Sequence, residues 1–343
     1  MNTAITVRPD NRRALEMLFI IGAPVLSFVL ITLVSMPRAV TGSFLYDSST
    51  PDWFIAFSAI MTHTHVMMVF YRSHLNGNIF RKFPMRFTIV PIIVLCGFYI
   101  STAFVGIMAV VAFYWDEWHS ILQTFGFGRI YDVRNGNDPH QGRRLDIGIS
   151  FVLCLFPHLI MLTYLPDNQR IEGISEVLIL GATQTQILNQ WIESLRYPLI
   201  IFGSVYIVYY VMSYRELMKN GYRISRAKIA LLGTTCLTAI LIALFYSIAD
   251  AAHYFNIYHA LQYIFIVFIS EAPSLSERFQ HPRINKKAMM ICCGIMMLTI
   301  GLALGIARNI DTFTFMGNFW LLSSLLHFWY DGFIWSVRKN DIA

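Results

Sequence analysis

The chain has 343 residues, of which 56% are hydrophobic and only 13% are charged, and its mean hydropathy is +0.55. Because about 25% of the residues of a soluble domain are charged, this composition excludes an ordinary soluble protein and predicts a single transmembrane domain over 1–343. The net charge of +6 does not indicate a nucleic-acid partner, because the basic residues fall in short loops between apolar runs.

Apolar runs of roughly the length of a membrane span follow one another along the chain. One run, 87–127, is 41 residues long and lies between the basic loops 72–86 and 128–146. Since loops rich in Lys and Arg stay in the cytoplasm, this run must cross the membrane twice and turn near Gly97–Thr102. The ten predicted spans lie near 14–36, 53–71, 87–100, 102–127, 147–165, 197–213, 229–248, 252–270, 288–307 and 313–335.

The charge of the remaining loops sets the predicted orientation. Basic loops at 214–228 and 271–287 alternate with loops at 37–52, 166–196 and 308–312 that are poor in Lys and Arg. This alternation predicts an all-α, polytopic integral membrane helical bundle with both termini in the cytoplasm. In a bacterium it would lie in the inner, cytoplasmic membrane. A weak amphipathic pattern within 166–196 predicts an interfacial helix there.

Ionisable side chains inside spans are costly and usually functional, and most of those predicted here are histidines on four spans. His63 and His74 are eleven residues apart, which is three helical turns, so they share a face. His327 and Asp331 are four residues apart and are also neighbours on their helix. The predicted metal ligands are His63, His74, His119, His253, His259, His327 and Asp331.

Other polar residues are predicted to support these ligands from behind. His65 is rotated about 200° from His63 around the helix, which puts it in this second group. Asp116 precedes His119 by three residues, one helical turn. The supporting candidates are His65, Asp116, Gln123, Asp250, Gln262 and Tyr263. No catalytic group is assigned.

Imidazoles with a carboxylate suit iron, with copper or zinc as alternatives, and the pattern leaves one or two ions open. The prediction is a non-haem iron oxidoreductase: an oxygenase, desaturase or hydroxylase acting on a lipid or an isoprenoid or carotenoid substrate. The HxxxH and HxxHH boxes of membrane desaturases are absent. The histidines scattered over several spans, with the pair His327 and Asp331, are similar in style, though in no alignable motif, to the bacterial membrane carotene-cleaving oxygenases.

Three alternatives remain open at this stage. A haem-binding electron carrier would use two imidazoles and leave about four histidines unexplained. A proton-coupled transporter would also use His and Asp inside spans, but more often shows internal repeats and broken helices. The histidines could instead join helices by hydrogen bonds. An oxidoreductase would need a separate electron donor, because the sequence has no cofactor-binding glycine motif.

Overall fold

The computed structural model describes residues 9–37, 39, 50–165, 181–278, 294 and 315–335, and every regular element in that part is helical. Apart from residue 294, the predicted span 288–307 lies outside the described residues, as does the loop 308–312. The helices are α1 (Pro9–Glu16), a π-helical turn (Met17–Ile21), α2 (Ala23–Val34), α3 (Asp52–Ser73), α4 (Gly77–Lys82), α5 (Pro84–Ile100), α6 (Thr102–Arg134), α7 (Arg143–Cys154), α8 (Phe156–Thr163), α9 (Ala182–Ser194), α10 (Arg196–Lys219), α11 (Arg226–Phe245), α12 (Ile248–Arg278) and α13 (Phe315–Ile334).

Several of these helices are long and apolar enough to cross a membrane. By length and composition alone, the described part holds four such segments, or five if a pair bent by 53° counts as one. The all-helical class is therefore confirmed, and the composition of the helices is compatible with a membrane protein. The four segments are Asp52–Ser73, Arg143–Thr163, Ala182–Lys219 and Arg226–Phe245, and the bent pair is Arg13–Ile21 with Ala23–Val34.

The long apolar run breaks inside the predicted turn. Helix α5 ends at Ile100 and α6 begins at Thr102, with Ser101 between them in an extended conformation (φ −144°, ψ 115°). The Ser101 hydroxyl accepts a hydrogen bond from the Phe104 N–H at 3.2 Å, which caps the new helix. A Cβ atom on Gly97 would lie 2.7 Å from the Phe104 ring, so the lack of a side chain permits this close approach.

The chain divides into two compact units, and each is described by itself. The first unit comprises Met1–Ala23, Asp52–His119 and Asn256–Ala343. In it α13 packs against α3 and α5 around a core of Met68, Phe87, Val267, Leu326 and Tyr330, among others. The second unit comprises Pro24–Pro51 and Ser120–Phe255, and in it α10 and α11 both pack against α7 and α8.

The second unit contains a buried charge network that sequence reasoning treated as ordinary loop charges. Arg129 Nη1 lies 2.5 Å from Asp146 and 3.2 Å from Asp132, while Lys228 Nζ lies 2.6 Å and 2.7 Å from the same two carboxylates. All four side chains are buried, and the two positive charges cancel the two negative ones. The network joins the end of α6 to α7 and α11. The Tyr222 hydroxyl donates to Asp132, and burial together with this bond raises the pKa of Tyr222.

Candidate metal site

Four helices of the first unit each contribute one histidine to a single cluster: His65 from α3, His119 from α6, His259 from α12 and His327 from α13. Each of the four is 7% exposed or less. The ring centroid of His65 is 4.8 Å from that of His259 and 4.9 Å from that of His327. His119 is 4.9 Å and 4.8 Å from the same two rings, which are themselves 6.2 Å apart.

These separations are close to those expected around one metal ion. A metal–nitrogen bond of about 2.0–2.1 Å puts the ring centroid about 3.2 Å from the metal, so two imidazoles at right angles are about 4.5 Å apart and two opposite ones about 6.4 Å. The observed values of 4.8–4.9 Å and 6.2 Å require only small shifts. The ring planes are inclined to one another at 75–89°, an edge-to-face arrangement that aromatic pairs without a metal also adopt.

Asp331 adds a carboxylate to the cluster. Its Oδ1 accepts hydrogen bonds from the Tyr263 hydroxyl at 2.9 Å and from Trp335 Nε1 at 3.0 Å. Its Oδ2 is 3.4 Å from His119 Nε2 and 3.8 Å from His327 Nε2. Neither of these two contacts has hydrogen-bond geometry. The two donors therefore hold the carboxylate with its second oxygen facing the imidazoles.

The ring nitrogens have few other partners. Both nitrogens of His65, both of His327 and Nε2 of His119 form no hydrogen bond of normal geometry with any residue in the described part of the chain. A buried polar atom without a partner costs about 1–3 kcal/mol, and a cluster of such nitrogens could offset that cost by holding a metal ion. Potential donor atoms of His65, His259 and His327 lie within 4.8 Å of one another, as do those of His119, His327 and Asp331.

The structure does not bring His63 or His74 to this cluster, although both were predicted ligands. His63 Nδ1 bonds the Ala59 carbonyl, and its ring meets the edge of Trp320 at 4.0 Å between centroids. His65, predicted only to support the ligands, takes its place. His74 bonds the Ser73 hydroxyl at 2.8 Å and the Phe87 carbonyl at 3.3 Å. His74 is the first residue after α3 and packs against the Phe87 ring. Burial lowers the pKa of His74.

Three other predicted residues, Gln123, Asp250 and His253, belong to the second unit. Both carboxylate oxygens of Asp250 accept hydrogen bonds at the start of α12. Its Oδ2 accepts from the Ser247 N–H at 3.1 Å and hydroxyl at 2.7 Å, and the Ser247 hydroxyl accepts from the Asp250 N–H. This reciprocal pair is a capping box. Oδ1 accepts from the Ser35 hydroxyl at 2.8 Å, so the carboxylate has a structural role.

The remaining candidates lie in the first unit. Gln262 Nε2 donates to the Ile20 carbonyl at 2.8 Å and so joins α12 to the π-helical turn. Tyr263 holds Asp331, as a residue supporting a ligand should. Asp116 is partly buried one turn before His119 and forms no hydrogen bond with any residue that the structure describes.

Sequence reasoning missed the supporting role of Trp335 and its neighbour Arg72. Arg72 pairs with buried Glu271 at 2.5 Å and donates to the Ile334 carbonyl, and its guanidinium lies 4.0 Å from the centre of the Trp335 ring. The spacing in the sequence could have shown this, because Trp335 follows Asp331 by four residues, about one helical turn.

Four imidazoles and one carboxylate form a donor set suited to a divalent transition metal. Two overlapping groups of three, His65 with His259 and His327, and His119 with His327 and Asp331, could each hold a metal ion. The chain matches no protein-family model, no curated protein and no solved structure.

Proposed function

We propose that the chain is a membrane-embedded non-haem iron oxidoreductase that acts on a lipid or an isoprenoid substrate. It crosses the inner membrane ten times as a single domain with both termini in the cytoplasm. One iron ion is held by His65, His119, His259, His327 and Asp331. The observation that carries the proposal is the convergence of four buried imidazoles, each from a different helix, with a carboxylate beside two of them.

The case for a metal is energetic. A protein gains little by burying imidazoles such as those of His65 and His327, whose nitrogens have no hydrogen-bond partner among the described residues, because each one brings a polar ring into a dry site. Metal coordination turns this cost into a gain, since neutral imidazole is the commonest metal ligand. The carboxylate is oriented by Tyr263 and Trp335, which is how ligands are usually held from behind.

The case for iron and for an apolar substrate rests on the open position and on the surroundings. A six-coordinate iron with five protein donors keeps one position for oxygen. Aromatic side chains flank the cluster, with Phe328 at 5.2 Å from His119 and Trp115 at 6.1 Å from Phe328, between ring centroids. Such surroundings keep water from a reactive oxidant and suit a hydrocarbon chain that enters from the bilayer.

The haem alternative is disfavoured by the cluster itself. A bis-histidine haem needs two imidazoles on opposite faces of a flat macrocycle. His259 and His327 have a suitable separation of 6.2 Å. However, His65 and His119 are each nearly equidistant from these two rings. Both therefore lie near the plane midway between His259 and His327. The macrocycle would have to occupy that same space.

The test is to purify the protein in mild detergent and measure its metals by mass spectrometry, with an absorption spectrum of the same sample. About one iron per chain without a Soret band is expected, and a His119→Ala variant should lose most of it. His158→Ala is the matched control, because His158 belongs to the second unit and bonds the Cys154 carbonyl. A Soret band, or no metal after reconstitution with iron, copper and zinc, would contradict the proposal. Copper or zinc in place of iron would keep the site and change its chemistry.

A further inference from the structure

The first unit carries an exposed basic face. Arg81 and Lys82 end α4, and Arg86 lies in the first turn of α5; all three side chains are exposed. Met85, between them, is 68% exposed. The topology proposed above puts this loop, 72–86, in the cytoplasm. We call these four residues the basic face.

The basic face is continuous with the end of α13. The Arg86 guanidinium lies 5.0 Å from the centre of the Phe333 ring, and Phe83 packs on Phe333 with 4.8 Å between ring centroids. Two residues further along the chain, Trp335 is partly exposed. Aromatic residues, Met and Arg, which make up most of this surface, are enriched in protein interfaces.

Trp335 also reaches the proposed metal site. Its Nε1–H donates to Asp331 Oδ1, and the other oxygen of that carboxylate is 3.4 Å from His119 Nε2. One hydrogen bond therefore connects a partly exposed indole to a proposed iron ligand. The Arg72 guanidinium lies against the indole ring and is itself held by Glu271, so the ring has a fixed position.

We propose that the basic face docks an acidic one-electron carrier protein and that the electron enters the site through Trp335. The inference rests on the proposed iron site. One electron leaves the reduced carrier and converts Fe(III) to Fe(II); no bond forms or breaks, and no proton moves. A single iron accepts one electron at a time, which favours a one-electron carrier over a hydride donor. Opposite charges on the two surfaces supply the steering for a short-lived encounter.

Docking is tested on metal-free protein, so that the result does not depend on the iron site. The probe is a plant-type [2Fe–2S] ferredoxin, which is acidic and carries one electron, and its Kd is measured in detergent at increasing salt. The combined variant Arg81→Glu, Lys82→Glu, Arg86→Glu should weaken binding at least tenfold. The matched control Arg215→Glu, Arg223→Glu, Arg226→Glu changes the same charge on exposed residues of the second unit, and its Kd should stay within twofold. Equal Kd values for the two variants would overturn the docking proposal.

Electron entry is tested on iron-loaded protein by comparing the rate of iron reduction by ferredoxin with the rate by dithionite. Trp335→Phe should lower the ratio of the two rates at least tenfold, because dithionite is small and does not need the path. Tyr330→Phe is the matched control, because the Tyr330 hydroxyl has no hydrogen-bond partner within the described residues, and it should leave that ratio within twofold. An unchanged ratio in Trp335→Phe would overturn the path.

The outcomes separate this inference from the function on which it rests. Protein that binds ferredoxin but no metal would refute the iron site alone. Protein that binds iron, but whose reduction by ferredoxin does not depend on the basic face, would refute the docking alone. Basic loops can also contact anionic lipid headgroups. If the charge reversal weakens binding to vesicles containing phosphatidylglycerol and leaves the ferredoxin Kd unchanged, the face serves the membrane and the proposal fails.

Discussion

His63 and His65 are two residues apart on α3, yet their rings meet different surroundings. The Nδ1 atom of His63 bonds the Ala59 carbonyl one turn earlier, and its ring packs against Trp320. His65 faces the rings of His259 and His327, and its nitrogens form no normal hydrogen bond with any of the described residues. Because His65 faces two other imidazoles whereas His63 faces an indole, His65 is the one placed to share a metal ion with them, and the two residues should differ in function.

We expect His65→Ala to lose metal and His63→Ala to keep it. Removing one of five ligands from a buried ion should lower its affinity by a factor of 10 to 100 or more, on the order of the effect seen for mutations around metal sites. Iron per chain after dialysis against a chelator is the measurement. Circular dichroism of both variants separates loss of metal from loss of fold. Equal metal content in the two variants would mean that the imidazole cluster is not the site.

Tyr263 and Tyr330 allow a second comparison between buried phenols. Tyr263 donates to Asp331, so Tyr263→Phe should free the carboxylate to turn and lower iron affinity by about 10- to 100-fold. The Tyr330 hydroxyl has no hydrogen-bond partner within the described residues, so Tyr330→Phe should leave iron affinity unchanged. Competition with a coloured chelator measures both. A larger effect from Tyr330 would show that the carboxylate is not held through Tyr263.

At the scale of whole helices, the sequence predicted a break near Ser101 but not how α3 is rotated about its axis. The break between α5 and α6 followed from charge, because two basic loops flank a run too long for one span. Which face of α3 carries ligands did not follow. The apolar side chains of α3 lie on all of its faces, so their spacing along the sequence cannot show which face points into the core. Its rotation is set by packing against α13, a contact between segments about 260 residues apart. For this reason counting helical turns could not decide which of His63 and His65 faces the imidazole cluster.

The break also provides a test of helix packing. In Gly97→Ala the new methyl group would lie 2.7 Å from the Phe104 ring and force the ring or the helix to move. Overpacking of this kind typically costs about 1–3 kcal/mol. Gly106→Ala is the control on α6, because nothing lies within 4 Å of its Cβ position, and alanine should stabilise the helix by about 0.5–1 kcal/mol. Thermal unfolding in detergent compares the two. A Gly97→Ala protein as stable as wild type would refute the close approach.

Removing one member of the buried charge network in the second unit should lower the free energy of unfolding. Arg129→Met would leave Asp132 and Asp146 with only Lys228 to neutralise two buried carboxylates, and would release the loop carbonyls of Asp138, Pro139 and Gln141. Breaking a buried ion pair in this way costs about 3–5 kcal/mol.

Lys219→Met is the matched control for Arg129→Met, because it breaks the exposed pair with Glu216. An exposed pair contributes at most about 1 kcal/mol. Unfolding by heat or denaturant should therefore separate the two variants clearly. If the two variants were equally stable, Arg129 would not stabilise the second unit more than an exposed lysine does.

At the scale of the whole molecule, the ten predicted spans exceed the four or five segments that are apolar enough by length and composition in the part of the chain that the structure describes. The site itself offers a physical reason. Helices α6, α12 and α13 carry the histidines and carboxylates of the cluster, and those polar residues lower their mean hydropathy. A helix that buries its polar face in a bundle needs less hydrophobicity than one that faces lipid on all sides.

Labelling of single cysteines decides between ten membrane spans and the four or five most apolar segments. In a variant without the five native cysteines, Ile100→Cys should react with a membrane-impermeant maleimide from outside, since it lies between two proposed spans and is 84% exposed. His140→Cys and Asn220→Cys, on basic loops, should react only after the membrane is opened. If only the most apolar helices cross, no span separates positions 100 and 140, and both must react from the same side. That result would remove α5 and α6 from the membrane, and with them His119 from a site in hydrocarbon.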